Sequence, residues 1–221
     1  MKDWRFLYNR YIRRIRKIGG YKFDFKMLAA GGILNEEYLS PWILKWGEQF
    51  VDVGANAGAW SMPASKYYRE VIAFEANPET VKSLKRNLRI NNVTNVIVMP
   101  HALGANEQEK DFYLYTENGG DSFLENHNDL HPTGQKIMLK TRTLDSFKLE
   151  PTVLKVDTEG YEYEVLKGAQ NTIAKNKPIL IVEVHVNQNI ELLERLLPSY
   201  KWQILWSGVK GPHLPVMIGN A

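Results

Sequence analysis

Phe50-Val51-Asp52-Val53-Gly54-Ala55-Asn56-Ala57-Gly58-Ala59-Trp60 is the stretch that decides the fold. An apolar run carrying one acid passes into a turn with glycines at 54 and 58, the form of a strand feeding a tight loop and a helix. Outward from it, after Gly47, short apolar runs alternate with helical patterns, which predicts βαβ units around a parallel sheet. Strands are expected at 50–53, 71–74, 96–99, 153–156 and 179–186, and helices at 57–68, 78–90, 161–175 and 190–197. Two more strands, 202–206 and 214–218, follow around Lys210-Gly211-Pro212 with no helix between them. The fold class expected is α/β: a Rossmann-like, seven-stranded, mostly parallel sheet with helices on both faces and the last strand antiparallel. Residues 105–150 break the alternation. There, 111–115 and 136–141 read as antiparallel strands of a small β insertion around Asn118-Gly119-Gly120-Asp121.

The chain of 221 residues is 44% hydrophobic and 24% charged, which suits one globular core. Its net charge of +3 is uneven. Residues 1–26 hold nine Lys or Arg against Asp3 and Asp24, so the remainder is net acidic, and bulk charge gives no argument for nucleic acid. Trp4, Tyr8, Tyr11, Ile15 and Ile18 fall at alternating steps of four and three, a helical stripe with arginines on its other face. That predicts a basic N-terminal helical arm over 1–46, covering the main domain at 47–221, with contact to a membrane surface or an acidic substrate as the alternative. Gly19-Gly20 and Gly31-Gly32 punctuate the arm, and Ser40-Pro41 reads as a helix start. The absence of cysteine excludes a disulfide framework, a thiolate zinc site and a Cys nucleophile. No apolar run approaches a membrane span and the start does not resemble a signal peptide, so a cytoplasmic protein is expected. The oligomeric state is not readable.

The spacing in the first turn is G-x-x-x-G after an acid, not the G-x-G-x-x-G of a dinucleotide loop. Asp52 can accept hydrogen bonds from the ammonium end of an amino-acid-like cofactor, whereas it would repel a pyrophosphate. Twenty-one residues past Gly54, the second strand ends in Phe74-Glu75-Ala76-Asn77-Pro78, where Glu75 can take both ribose hydroxyls of an adenosine. The pair of signals selects S-adenosylmethionine over NAD. Its site is expected from Asp52, Gly54, Asn56, Gly58, Glu75 and Asn77, with His101 and Ala102 beside the adenine and Asp157 at the same sheet edge. His101 alone reads more readily as a structural histidine than as a catalyst.

In order along the chain, several blocks together resemble the FkbM family of methyltransferases. They are Val51 to Gly58, Phe74 to Pro78, Ala102-Leu103-Gly104, Thr143-Leu144-Asp145, Leu154-Lys155-Val156-Asp157-Thr158-Glu159-Gly160-Tyr161-Glu162, Val165 to Ala169, and Glu183-Val184-His185. Ala76 stands where the family more often has proline. The resemblance spans residues 49–186 and implies methyl transfer from S-adenosylmethionine to a hydroxyl of a small molecule, sugar or glycan. Strand order brings Asp157, Glu159 and Glu183 or His185 to the cofactor's edge of the sheet. His185 is the first choice as base, since its ordinary pKa lies near working pH, with Asp157 as the alternative base or the group that positions the hydroxyl. Asp157 or Glu159 can instead cap the helix near Tyr161. A divalent metal is a third option for Asp157, Glu159 and His185, with Mg or Mn suited better than zinc. Gly120, Asp121 and Ser122 are expected to help shape the acceptor pocket. Two alternatives stay open. One is RNA 2′-O-methylation, for which the Lys-Asp-Lys-Glu constellation is not evident; the other is a non-catalytic cofactor-binding or membrane-surface module.

Overall fold

The computed structural model describes residues 15–18, 21–24, 47–114, 121–124, 135–185, 188–205 and 216–221. Its main body is a seven-stranded sheet built from β3 (Gly47–Val53), β4 (Tyr68–Phe74), β5 (Val96–Met99), β9 (Val153–Val156), β10 (Ile179–Glu183), β11 (Lys201–Leu205) and β12 (Val216–Asn220). Their spatial order is β11-β12-β10-β9-β3-β4-β5. Neighbours from β5 to β10 run parallel, while β12 is antiparallel to both β10 and β11. The chain order therefore reverses between β3 and β9, and such a switch point leaves a crevice at the strands' carboxyl ends.

The strands are apolar on both faces because helices cover both. Val51, Val53, Ile72, Phe74, Leu154, Val156, Leu180 and Val182 face one way, into a core completed by Val165, Leu166, Ile173 and Leu193. Those last four come from α3 (Glu162–Lys167), α4 (Gln170–Asn176) and α5 (Gln188–Leu196). On the other face, Phe50, Val71, Val153 and Ile181 meet Trp60 and Ala64, around the short α1 (Ser61–Ala64). Beside them Ala73 packs with Leu84 and Leu88 of α2 (Pro78–Ile90). Proline in the first turn and Asn77 Oδ1 accepting from Glu79 N (2.9 Å) start that helix.

Several boundaries differ from the sequence expectation for physical reasons. The helix expected over 57–68 shrinks to α1, because Tyr68 to Glu70 are drawn into β4 by pairing with β3. The helix expected over 161–175 breaks at Gly168-Ala169, where a Cβ on Gly168 would lie 2.0 Å from the Gly104 carbonyl oxygen. That close approach docks the α3–α4 junction on the residue that follows β6 (Ala102–Leu103). The insertion is a three-stranded sheet in which β6 pairs with β8 (Lys136–Arg142), and β8 pairs antiparallel with β7 (Glu109–Tyr113).

The N-terminal helix is corrected at its end: Ile15–Ile18 is strand β1, paired antiparallel with β2 (Tyr21–Asp24). Ile18 pairs with Tyr21, and Gly19-Gly20 between them lie outside the described residues. Pairing of backbone groups here overrides the helical periodicity of the side chains. Tyr21 is buried and its hydroxyl donates to the Met62 carbonyl (3.1 Å), so the hairpin packs beside the turn after β3. Residues 4–14, Gly31-Gly32, Ser40-Pro41, Asn118 to Gly120 and Lys210-Gly211-Pro212 lie outside the described residues. Among the described residues no helix is long and apolar enough to cross a membrane.

Candidate active site

The site is assembled where β3, β4, β9 and β10 end. Gly54 leaves β3 with φ +75°, and a Cβ there would sit 1.7 Å from the Asp157 carbonyl oxygen. Only glycine permits both the left-handed backbone and this contact between the β3 and β9 ends. Asn56 is also left-handed (φ 47°), which turns its N–H onto Glu75 Oε2 at 2.8 Å. Glu75 Oε1 accepts the Asn77 N–H at 2.8 Å. Each Glu75 oxygen therefore spends one lone pair on the protein and keeps another, which fits a pair of vicinal ribose hydroxyls. Burial pushes the Glu75 pKa up to about 7, against the lowering effect of the two backbone hydrogen bonds. Asn87 Nδ2 donates to the Ala57 carbonyl (2.9 Å), tying the rest of the turn to α2.

Register brings the charged groups together. Asp52 of β3 is paired with Lys155 of β9, and both point to the α1 face. Asp52 is fully buried and accepts from Ser61 Oγ at 2.5 Å, with Lys155 Nζ 3.2 Å from its other oxygen. That other oxygen, Oδ1, is off the line of a good hydrogen bond. The carboxylate expected to receive the cofactor's ammonium is thus committed to the frame. Lys155 also donates to the Gly54 carbonyl (3.0 Å) and lies 3.2 Å from Asp157 Oδ2. Burial alone would lower its pKa, but Asp157, Asp52 and Glu183 outweigh it and hold the ammonium charged. One lysine thereby links the Gly54 turn to the end of β9.

Beyond Asp157 the chain turns through Glu159, left-handed at φ 53°, and Gly160. Glu162, fully buried at the start of α3, accepts the N–H groups of Thr158 (3.0 Å) and Gly160 (2.9 Å) on Oε1. The helix cap expected from Asp157 or Glu159 is not formed: Tyr161 precedes α3 with no side-chain cap, and Glu162 instead holds the turn before it. The same oxygen is 3.0 Å from His185 Nδ1. His185 Nε2 then faces Glu159 Oε2 at 3.1 Å and Asp157 Oδ1 at 3.8 Å. Burial would lower the histidine's pKa, but the Glu162 hydrogen bond and the charges of Asp157, Glu162 and Glu159 push it up to about 10. The sequence predicts an imidazole ready to take a proton near pH 7, and the surrounding carboxylates correct it to an imidazolium. Glu183 sits beside Asp157, whose charge, together with burial, raises the Glu183 pKa.

The other expected residues divide. Ser122 is buried and its Oγ donates to the Glu159 carbonyl (2.6 Å), so the insertion does reach the turn after β9. Asp121 Oδ2 accepts from Asn77 Nδ2 at 2.5 Å, close to Glu75. Gly120 lies outside the described residues. Asn77 caps α2 with its side chain, and its backbone N–H donates to Glu75. His101 is half-buried, its ring 5.5 Å from that of Phe147, and burial followed by the Arg142 charge lowers its pKa. Ala102 is buried in β6. Asp145, within the Thr143-Leu144-Asp145 block, is structural: its carboxylate accepts the N–H groups of Asn171 (3.1 Å) and Thr172 (2.7 Å) at the start of α4.

Sequence reasoning does not single out Lys155, Glu162 or Ser61. A lysine inside the apolar run Leu154-Lys155-Val156 is the available signal, since a lysine buried in a parallel strand requires charged partners. Glu162 and Ser61 carry no comparable signal, because an acid or a serine at a helix start is ordinary.

Comparison with known proteins bears on the fold and the family. The profile described as the methyltransferase FkbM domain matches residues 52–200. The hexuronic acid methyltransferase AglP of Haloferax volcanii is 27% identical over 222 residues, covering 91% of this chain and 87% of that protein. The crystal structure of the methyltransferase FkbM from Methylobacillus flagellatus superposes with a TM-score of 0.60 at 20% identity, over 78% of this chain and 43% of that one. The crystal structure of M. jannaschii TYW2 in complex with AdoMet gives 0.55 at 17% identity, over 93% and 83%. With the profile spanning the Gly54 turn, the β9 end and His185, the chain belongs to the FkbM family of methyltransferases.

Proposed function

We propose that this protein moves the methyl group of S-adenosylmethionine to a hydroxyl oxygen of a saccharide or other small molecule. The observation that carries the reading is the meeting of Asp157, Glu159 and His185 at the sheet edge beside the Gly54 turn and Glu75. The cofactor supplies an electrophilic methyl group on its sulfonium. What the chain must do is align an acceptor oxygen with that methyl and take the oxygen's proton as the new bond forms.

Glu75, through its two remaining lone pairs, holds the adenosine ribose, and Gly54 lets the turn after β3 close against the Asp157 carbonyl, which keeps the ribose side and the β9 end together. Lys155 fixes Asp157 through Oδ2, which leaves Oδ1 on the side of His185 as the proton acceptor. The His185 imidazolium, anchored by Glu162, faces the same space and stabilises negative charge growing on the acceptor oxygen. Glu159 orients the hydroxyl. Ser122, by holding the Glu159 carbonyl, couples the insertion to that orientation. A saccharide acceptor is supported by the hexuronic acid methyltransferase among the relatives, which is similar over nearly the whole chain.

Titration calorimetry with S-adenosylmethionine and with NAD tests the cofactor. Saturable heat with the first alone supports the reading, and binding of NAD with no heat from S-adenosylmethionine sinks it.

A further inference from the structure

We propose that Asp157, Glu159 and His185 form a binding site for one divalent cation of the Mn or Mg class, at which the acceptor is held by two of its own oxygens. This rests on the methyl-transfer reading of the same site, with the cation taking the place of the His185 Nε2 proton and supplying the positive charge that the imidazolium otherwise turns toward the acceptor oxygen.

The three ligand atoms come from separate positions of the backbone, the end of β9, the left-handed turn after it and the end of β10, yet they lie within 4.8 Å of one another. Around a cation with bonds of about 2.1 Å, neighbouring ligands stand about 3 Å apart and opposite ones about 4 Å. The observed 3.1 Å from His185 Nε2 to Glu159 Oε2 is of the first kind, and the 3.8 Å to Asp157 Oδ1 falls between the two. Both carboxylate oxygens thus stand at ligand-to-ligand distances from the imidazole nitrogen.

The second observation concerns the histidine's far side. His185 is 8% exposed, and its Nδ1 is held by the buried Glu162, whose Oε1 is itself fixed by two backbone N–H groups. A carboxylate on one ring nitrogen sets the tautomer and directs the other nitrogen outward, as in metal-bound histidines. Here that other nitrogen points at Asp157 and Glu159, whose side chains are 22% and 25% exposed and so open to an arriving ion. The carboxylates of Asp157, Glu159 and Glu162 all lie against the one imidazole ring of His185, a concentration of negative charge that a dication offsets.

Two carboxylates and one imidazole suit Mn or Mg better than zinc or copper. Three protein ligands leave about three positions on a six-coordinate ion. An acceptor with a hydroxyl beside a second oxygen donor, either a vicinal hydroxyl or a carboxylate, fills two of them. The site thus selects diols and hydroxy acids over isolated alcohols.

The test is Mn2+ binding to the full chain without acceptor, followed by electron paramagnetic resonance, with pulsed detection of nitrogen coupling from an imidazole. The expected result is one site with nitrogen coupling, weakened about 10- to 100-fold in Glu162→Gln and further in His185→Ala. Glu159→Gln serves as a third variant, and the wild-type nitrogen signal requires none of them to fold. Absence of a bound Mn2+ signal, or a bound signal lacking nitrogen coupling, overturns the proposal. S-adenosylmethionine calorimetry on the same metal-free sample separates the two readings. Cofactor heat without Mn2+ binding discards only the cation, whereas loss of cofactor heat discards the methyl-transfer reading beneath it.

Discussion

Replacing Glu75 by glutamine changes little in shape and removes one charge and one acceptor. The carboxylate accepts backbone N–H groups from Asn56 and Asn77, each at 2.8 Å. A carboxamide oxygen can serve one of them, and its NH2 then opposes the other. On the ligand side, a charge-assisted hydrogen bond of about 1.5–3 kcal/mol to the ribose is lost, which converts to S-adenosylmethionine binding roughly 10- to 150-fold weaker. The charge also imposes a pH dependence. Glu75 has a pKa of about 7, so its ionised fraction climbs from about one tenth at pH 6 to nine tenths at pH 8. Because the ribose hydroxyls donate to the ionised form, wild-type affinity rises about tenfold across that interval. Stability without cofactor moves the opposite way. The folded-state pKa lies above the ordinary value of 4.5, so the folded state holds the extra proton, and stability falls as pH rises from about 4.5 to 7. Calorimetry at pH 6, 7 and 8 on wild type and Glu75→Gln reads affinity and slope together. A variant binding within about twofold of wild type, or a wild-type affinity flat from pH 6 to 8, refutes the assignment of Glu75 to the ribose.

Gly54→Ala places a Cβ 1.7 Å from the Asp157 carbonyl at φ +75°. The left-handed backbone costs about 1–2 kcal/mol and displacing the neighbouring peptide about 1–3 more, so thermal unfolding drops and cofactor binding is lost; a variant with wild-type Tm and affinity counts against the close approach. Lys155→Met leaves Asp52 and Asp157 without their shared cation, and breaking a buried pair costs about 3–5 kcal/mol. A Tm lower by about 10 °C is expected from that loss, and an unchanged Tm would show that Lys155 does not carry the frame. His185→Ala should reduce turnover by about 10²-fold or more while S-adenosylmethionine affinity changes little; steady-state turnover beside calorimetry separates the two, and unchanged turnover removes His185 from the chemistry.

The sheet is legible in the sequence because its parallel strands are apolar runs bounded by turn residues: 96–99 and 153–156 fall where the apolar residues predict, as does the helix 78–90 with its Asn77-Pro78 start. Boundaries shift where tertiary contact overrides local pattern. Tyr68 joins β4 through pairing with Gly47, and Gly168 stops a helix because it must pass the Gly104 carbonyl. At the site, the positions of Glu75, Asp157, Glu159 and His185 are legible, since strand ends at a switch point share one edge. Their chemical states are not. The protonation of His185 depends on Glu162, and the commitment of Asp52 depends on Ser61 and Lys155, contacts set by register and burial between different segments of the chain. The carboxylate of Asp52 looks free in a one-dimensional reading and is enclosed in three.

Transfer of a methyl group to oxygen is tested most directly by uptake of isotopically labelled methyl from S-adenosylmethionine into a panel of hexuronic acids, neutral sugars, polyols and capped RNA, with the product's linkage read by NMR. The expected product is a methyl ether on a saccharide hydroxyl, formed by wild type and nearly abolished in His185→Ala. Label on a nitrogen, or on RNA with none on any saccharide, would contradict transfer to a saccharide oxygen.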